Sequence, residues 1–158
     1  DITLDITLKT QKKLMDAGAK VILTRNGYSY LTLEERAWVS NVNNADIFLS
    51  IHVNSFTSSA AKGASTWIYA PADNSRYNRA ERLRLAECLQ NQIVAQTGLS
   101  NYGIREDRFV VIRESLMPSA LIETAFISNP EEEKLLGTES FRAQYAQAIT
   151  SGLADFFK

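Results

Sequence analysis

The chain contains one histidine, His52. It stands near the end of an apolar run, Ala45-Asp46-Ile47-Phe48-Leu49-Ser50-Ile51-His52-Val53-Asn54. A second apolar run, Ala120-Leu121-Ile122, ends on Glu123. If both runs are strands lying parallel in one sheet, their carboxyl ends bring the imidazole and the carboxyl to one edge. That is the edge at which open α/β sheets bind ligands. An imidazole in such a place is either a metal ligand or a hydrogen-bonded structural group, and position alone leaves both open. Asn54 follows on the same side two residues later. A carboxyl directly after Ala-Leu-Ile is costly to bury without a partner. Glu123 therefore either pairs with an arginine (Arg25, Arg36, Arg105 or Arg113) or serves a function that needs a perturbed acid.

Most other catalytic schemes find no support. A Ser-His-Asp triad would have to use His52 with Ser50 or Ser55, and no Gly-x-Ser-x-Gly elbow exists. There is no Gly-rich phosphate loop and no Cys-x-x-Cys pair. Nothing singles out a second carboxylate to act beside Glu123 in glycoside hydrolysis. The single cysteine, Cys88, has no intrachain partner and no second histidine to activate it; its place within a helical pattern suits a small core residue.

The elements that must position these residues alternate along the chain. Asp1 to Ala17 reads as a helix stopped by Gly18, and Lys20 to Thr24 as a short β-branched strand. Thr32-Leu33-Glu34-Glu35 is a capping box that opens a helix to about Asn43. The His52 strand follows, so the pattern predicts a right-handed βαβ unit. Ala64 to Ala70 reads as a strand ended by Pro71, and Asn74 to Thr97 as a long helix stopped by Gly98. Arginines 76, 79, 82 and 84 near its start suit a solvated face. Phe109 to Ile112 and the Glu123 run are predicted as strands. Asn129-Pro130 opens a short helix to Leu136, and Thr138 caps a last helix from Glu139 to Phe157. The expected fold is α/β: a three-layer α/β/α domain, residues 1–158, with a mostly parallel twisted sheet flanked by helices.

The totals fit this picture. The 158 residues suit a single domain, with 45% hydrophobic and 22% charged residues. A net charge of −1 gives no general attraction to nucleic acid or acidic membranes, and no apolar run is long enough for a membrane span. The chain opens on no charged-then-apolar signal segment.

The chain resembles the zinc-dependent N-acetylmuramoyl-L-alanine amidases of the type 3 family, which cut peptidoglycan. The matching segments are Val21-Ile22-Leu23-Thr24-Arg25, Leu33-Glu34-Glu35-Arg36, Asn44 to Asn54, Gly63 ahead of Trp67-Ile68-Tyr69, Phe109 to Arg113, and Met117 to Asn129. Ser-Ile-His-x-Asn followed far downstream by Pro-x-x-Leu-Ile-Glu-x-x-Phe-Ile-Ser-Asn is a specific combination, and the segments cover nearly the whole chain in the family's order.

The resemblance implies Zn2+ held by two histidines and a glutamate, with a further glutamate as general acid/base. His52 matches the second histidine ligand and Glu123 the catalytic glutamate. The bond cut would join the lactyl group of N-acetylmuramic acid to L-alanine. The partner is peptidoglycan, the place a bacterial cell wall, periplasm or the exterior, and the protein a monomer. The family's first histidine and its glutamate ligand would fall ahead of Asp1. The expectation is thus a domain shortened at its N-terminus, with weak zinc affinity and little activity as 158 residues alone. Two other readings follow: a non-catalytic peptidoglycan-binding or regulatory domain without the metal site, and a zinc carboxypeptidase acting on wall peptides.

Overall fold

A computed structural model describes residues 1–158. Helix α1 (Ile2–Asp16) starts on Asp1, whose carboxylate accepts the Leu4 N–H. Helix α2 (Leu33–Val42) opens on the expected capping box: Thr32 Oγ1 accepts the Glu35 N–H at 3.2 Å, and the Glu35 carboxylate accepts the Thr32 N–H at 2.7 Å. Strand β1 (Phe48–Asn54) and strand β2 (Ala64–Ile68) follow. A short 3-10 turn, Ser75–Tyr77, leads into α3 (Arg79–Thr97), which Gly98 closes in the left-handed conformation. Then come β3 (Asn101–Glu106), the single helical turn α4 (Val110–Arg113), β4 (Ser119–Phe126), α5 (Pro130–Leu136) and α6 (Glu139–Phe156).

The four strands lie in the order β1-β4-β2-β3. The β1–β4 and β2–β3 pairs are parallel and the β2–β4 pair is antiparallel. Helices α1, α3 and α6 cover one face. Ile6, Leu85, Leu89, Ile93, Ile122, Tyr145 and Ile149 pack there as the main core. The other face carries a smaller cluster, Phe48, Val111, Ile112 and Leu121, with Trp67 and Phe109 packed against it. Alternation along the strands explains the split: Thr66 bonds to Gln90 of α3, so its neighbours Ser65 and Trp67 point to the second face. The mostly parallel three-layer α/β arrangement is the one expected.

Three local expectations are overturned. Lys20 to Thr24 forms no strand. β-branched residues favour a strand only where a neighbour supplies the ladder, and no strand pairs with this segment. It is tied to helices instead: Arg25 pairs with Asp1 at 2.8 Å, and the Arg36 guanidinium donates to Thr24 Oγ1 at 3.4 Å. The predicted βαβ unit therefore does not form. Phe109 to Ile112 is not a strand but the start of α4. A four-residue apolar run has no period of its own, and here it buries Val111 and Ile112 as one helical turn. Arg82, assigned to a solvated face, is 1% exposed. Its guanidinium donates to the carbonyls of Tyr69, Ile112, Ser115 and Met117 at 2.6–3.1 Å.

Candidate active site at the ends of β1 and β4

Parallel pairing sets His52 directly beside Glu123. Antiparallel pairing sets Ser65 on the other side of Glu123, and Gly103 of β3 lies beyond Ser65. Residues in register share a face, so one row crosses the whole sheet: His52, Glu123, Ser65, Gly103. Two residues back lies a second row on the same face: Ser50, Leu121, Trp67, Arg105. The two sequence candidates are therefore brought together by the sheet itself. Asn54 sits past a register irregularity, beside Phe126, where its side chain accepts the Ser55 N–H.

Glu123 has no cation. None of Arg25, Arg36, Arg105 and Arg113 pairs with it. One carboxyl oxygen, Oε2, is buried with no hydrogen-bond partner. Desolvation with nothing to offset it pushes the group up to about 7. Glu123 can thus hold or release a proton near neutral pH. His52 moves the opposite way although the residue is exposed: partial desolvation and then the charge of Arg36 lower its pKa, which favours the neutral ring. Its Nε2 lies 3.0 Å from Ser50 Oγ.

A catalytic zinc takes three protein ligands and keeps one open position. Nowhere in the chain do three histidine, cysteine, aspartate or glutamate side chains converge in a way that could hold a metal ion. The side chain beside His52 is Glu123, itself the candidate acid. The residues present therefore do not make a zinc site by themselves, and His52 stands as a single candidate ligand.

Sequence reasoning missed the far half of this surface. Strand β3 went unrecognised because Asn101-Tyr102-Gly103 breaks its apolar pattern at the start and charges end it. The alternation Tyr102, Ile104, Glu106 against Gly103, Arg105 was the available signal.

Residues 1–155 match the family of N-acetylmuramoyl-L-alanine amidases, Amidase_3. The chain is 36% identical over 157 residues to the uncharacterized protein YqiI of Bacillus subtilis, covering 99% of this chain and 73% of that one. It is 34% identical to the N-acetylmuramoyl-L-alanine amidase LytC of the same organism, covering 100% of this chain but 31% of LytC. Among solved structures, the catalytic domain of CwlV, an N-acetylmuramoyl-L-alanine amidase from Bacillus (Paenibacillus) polymyxa, matches with a TM-score of 0.88 and 33% identity over 99% of this chain and 83% of that one.

Proposed function

Because the chain belongs to the N-acetylmuramoyl-L-alanine amidase family, we propose that it hydrolyses the amide between the lactyl group of N-acetylmuramic acid and L-alanine in peptidoglycan, with Glu123 as the proton carrier. The observation that supports this most is the state of Glu123: a carboxyl without a cation, one oxygen bare, set near neutral pH. A general acid/base works best when its pKa lies near the working pH. Glu123 would accept a proton from water as the water oxygen adds to the amide carbonyl. It would return that proton to the nitrogen as the C–N bond breaks. The products are a lactyl carboxylate and a free L-alanyl amino terminus.

Of the zinc implied by the family resemblance, this chain offers His52 as one ligand, and no step is assigned to the metal. The action belongs at a cell wall, on peptidoglycan, and no helix is long and apolar enough to cross a membrane. A second reading is favoured by one observation, the lack of a three-ligand cluster: a domain that binds peptidoglycan without cutting it.

The test is release of new amino termini from purified cell wall, with Glu123→Gln as control. Termini that appear with the wild type and disappear with Glu123→Gln support the amidase. Wall binding without new termini supports the binding domain. Freed single amino acids in place of free lactyl groups would mean a carboxypeptidase.

A further inference from the structure

A guanidinium on the site's face pairs with no carboxylate in the protein alone. Most arginines of the chain are occupied. Arg25, Arg79, Arg84, Arg113 and Arg142 each pair with a carboxylate, and Arg82 is spent on four backbone carbonyls. Arg105 pairs with none, nor do Arg36, Arg76 and Arg108; of these four only Arg105 stands on a strand of the site's sheet. Its sequence neighbours are taken: Glu106 is held by Arg79 at 2.5 Å, and the Asp107 carboxylate accepts the Arg108 N–H at 2.6 Å.

Yet Arg105 is held in place. Its guanidinium carbon lies 4.1 Å from the Tyr102 ring centroid and 5.6 Å from that of Trp67. Its Nε donates to the Tyr102 carbonyl at 3.2 Å. Trp67 is fixed in turn: its indole N–H donates to Ser65 Oγ at 2.9 Å, and its ring meets Phe109 edge-on at 5.4 Å. Aromatic stacking orients the planar fork and leaves both terminal nitrogens without a protein acceptor. Fixing a long side chain in advance removes much of the entropy cost of binding.

The position matters as much as the state. Arg105 is in register with Trp67 and Leu121, one row back from Glu123 and two strands across. Strand spacing and rise put the two Cα atoms roughly 12 Å apart. At about 3.3–3.6 Å per residue that is three to four residues of extended peptide, or fewer where the long side chains at either end cover part of it. A carboxylate a residue or two beyond an amide held at Glu123 comes within reach of the Arg105 fork.

We propose that Arg105 recognises a free carboxylate on the peptide arm of the substrate and so determines which stem peptides the site accepts. This rests on the reading of the site as a peptidoglycan amidase. A planar guanidinium with two free nitrogens matches a carboxylate in bidentate fashion, and such bonds are stronger than neutral ones.

The test is calorimetric titration with two probes: N-acetylmuramyl-L-alanyl-glutamate with both carboxyl groups free, and its diamide. The wild type is expected to bind the acid about tenfold more tightly than the diamide, which is one charge-assisted interaction's worth. Arg105→Gln should bring the ratio to within about twofold while leaving the melting temperature in place, and Arg105→Lys should keep part of the preference. A ratio unchanged in Arg105→Gln overturns the proposal. So does a wild type that binds both probes equally, in which case the amidase reading stands and the role of Arg105 falls. If neither probe binds, the proposal falls, and release of amino termini from cell wall decides the amidase reading separately.

Discussion

His52 and Glu123 are register partners on adjacent parallel strands, and their ionisation is tuned in opposite directions. The carboxyl is raised to about 7 by desolvation, while the ring's pKa is lowered. If Glu123 must be ionised to take a proton from water, amide hydrolysis rises with pH through an inflection near 7. Glu123→Gln should lower the rate by about 10²–10⁴-fold and abolish that inflection. The pH profile of amino-terminus release from cell wall checks both. An inflection kept in Glu123→Gln would show that another group titrates.

The same carboxyl predicts a stability effect. An ordinary glutamate ionises near 4.5, and this one near 7 when folded. The folded state therefore holds the proton more tightly than the unfolded chain. The resulting stabilisation is complete below about pH 4.5 and is lost as pH rises to about 7. Glu123→Gln carries no such penalty. At pH 8 it should exceed the wild type by about 1–3 kcal/mol, with the gap closing below pH 4.5. Urea unfolding of both proteins at the two pH values gives the comparison.

Much of the frame was legible because local chemistry and tertiary structure agreed. Thr32 with Glu35, Asn129 with Pro130, and Gly98 each mark a helix end by hydrogen bonds that the folded chain makes. His52 and Glu123 were legible for a related reason: a polar residue ending a buried run needs an explanation. What failed depended on distant partners. Lys20 to Thr24 has strand composition without a neighbour to pair with. Phe109 to Ile112 takes its conformation from burial against Phe48 and Leu121. The confinement of Arg82 among four carbonyls depends on three segments meeting, which no single segment announces. Arg105 was visible only as one more charge until β3 set it beside Trp67.

Zinc should bind the 158-residue chain weakly. One histidine with one neighbouring carboxyl offers fewer than the three protein ligands that a catalytic site uses. Calorimetry with Zn2+ is expected to give a dissociation constant weaker than about micromolar, well below the roughly 10–16 kcal/mol of a complete structural site. Sub-micromolar binding at one site, lost in His52→Ala, would overturn this.

Arg82 makes a larger demand on stability. Removing its guanidinium in Arg82→Met strands the Ser115 carbonyl in the interior, leaves that of Ile112 with only the Ser119 hydroxyl, and loosens those of Tyr69 and Met117. Each buried carbonyl left without a donor costs about 1–3 kcal/mol. One stranded carbonyl and three weakened ones give a total of about 3 kcal/mol, a large share of the roughly 5–15 kcal/mol available to a domain. Thermal unfolding should show a drop of about 6–12 °C. Arg82→Lys should recover only part, since one ammonium cannot span four acceptors.

The crossing of α3 and α6 sets two known effects against each other. Gly152 lies inside α6, where alanine would be favoured over glycine by about 1 kcal/mol. But a Cβ at this position would lie 2.8 Å from Leu89 Cα and 2.9 Å from the Cys88 carbonyl oxygen. Both are backbone atoms of α3, which cannot rotate aside as a side chain can. Relief requires the two helices to separate, and they carry Leu85, Leu89, Ile93, Tyr145 and Ile149 of the main core. Overpacking of this kind costs about 1–3 kcal/mol, and forced movement of backbone favours the upper end. The steric term wins, so Gly152→Ala should destabilise by about 1–2 kcal/mol despite its better helix propensity. Denaturant unfolding of this variant provides the measurement, and a midpoint at or above that of the wild type would mean that the helices separate at little cost.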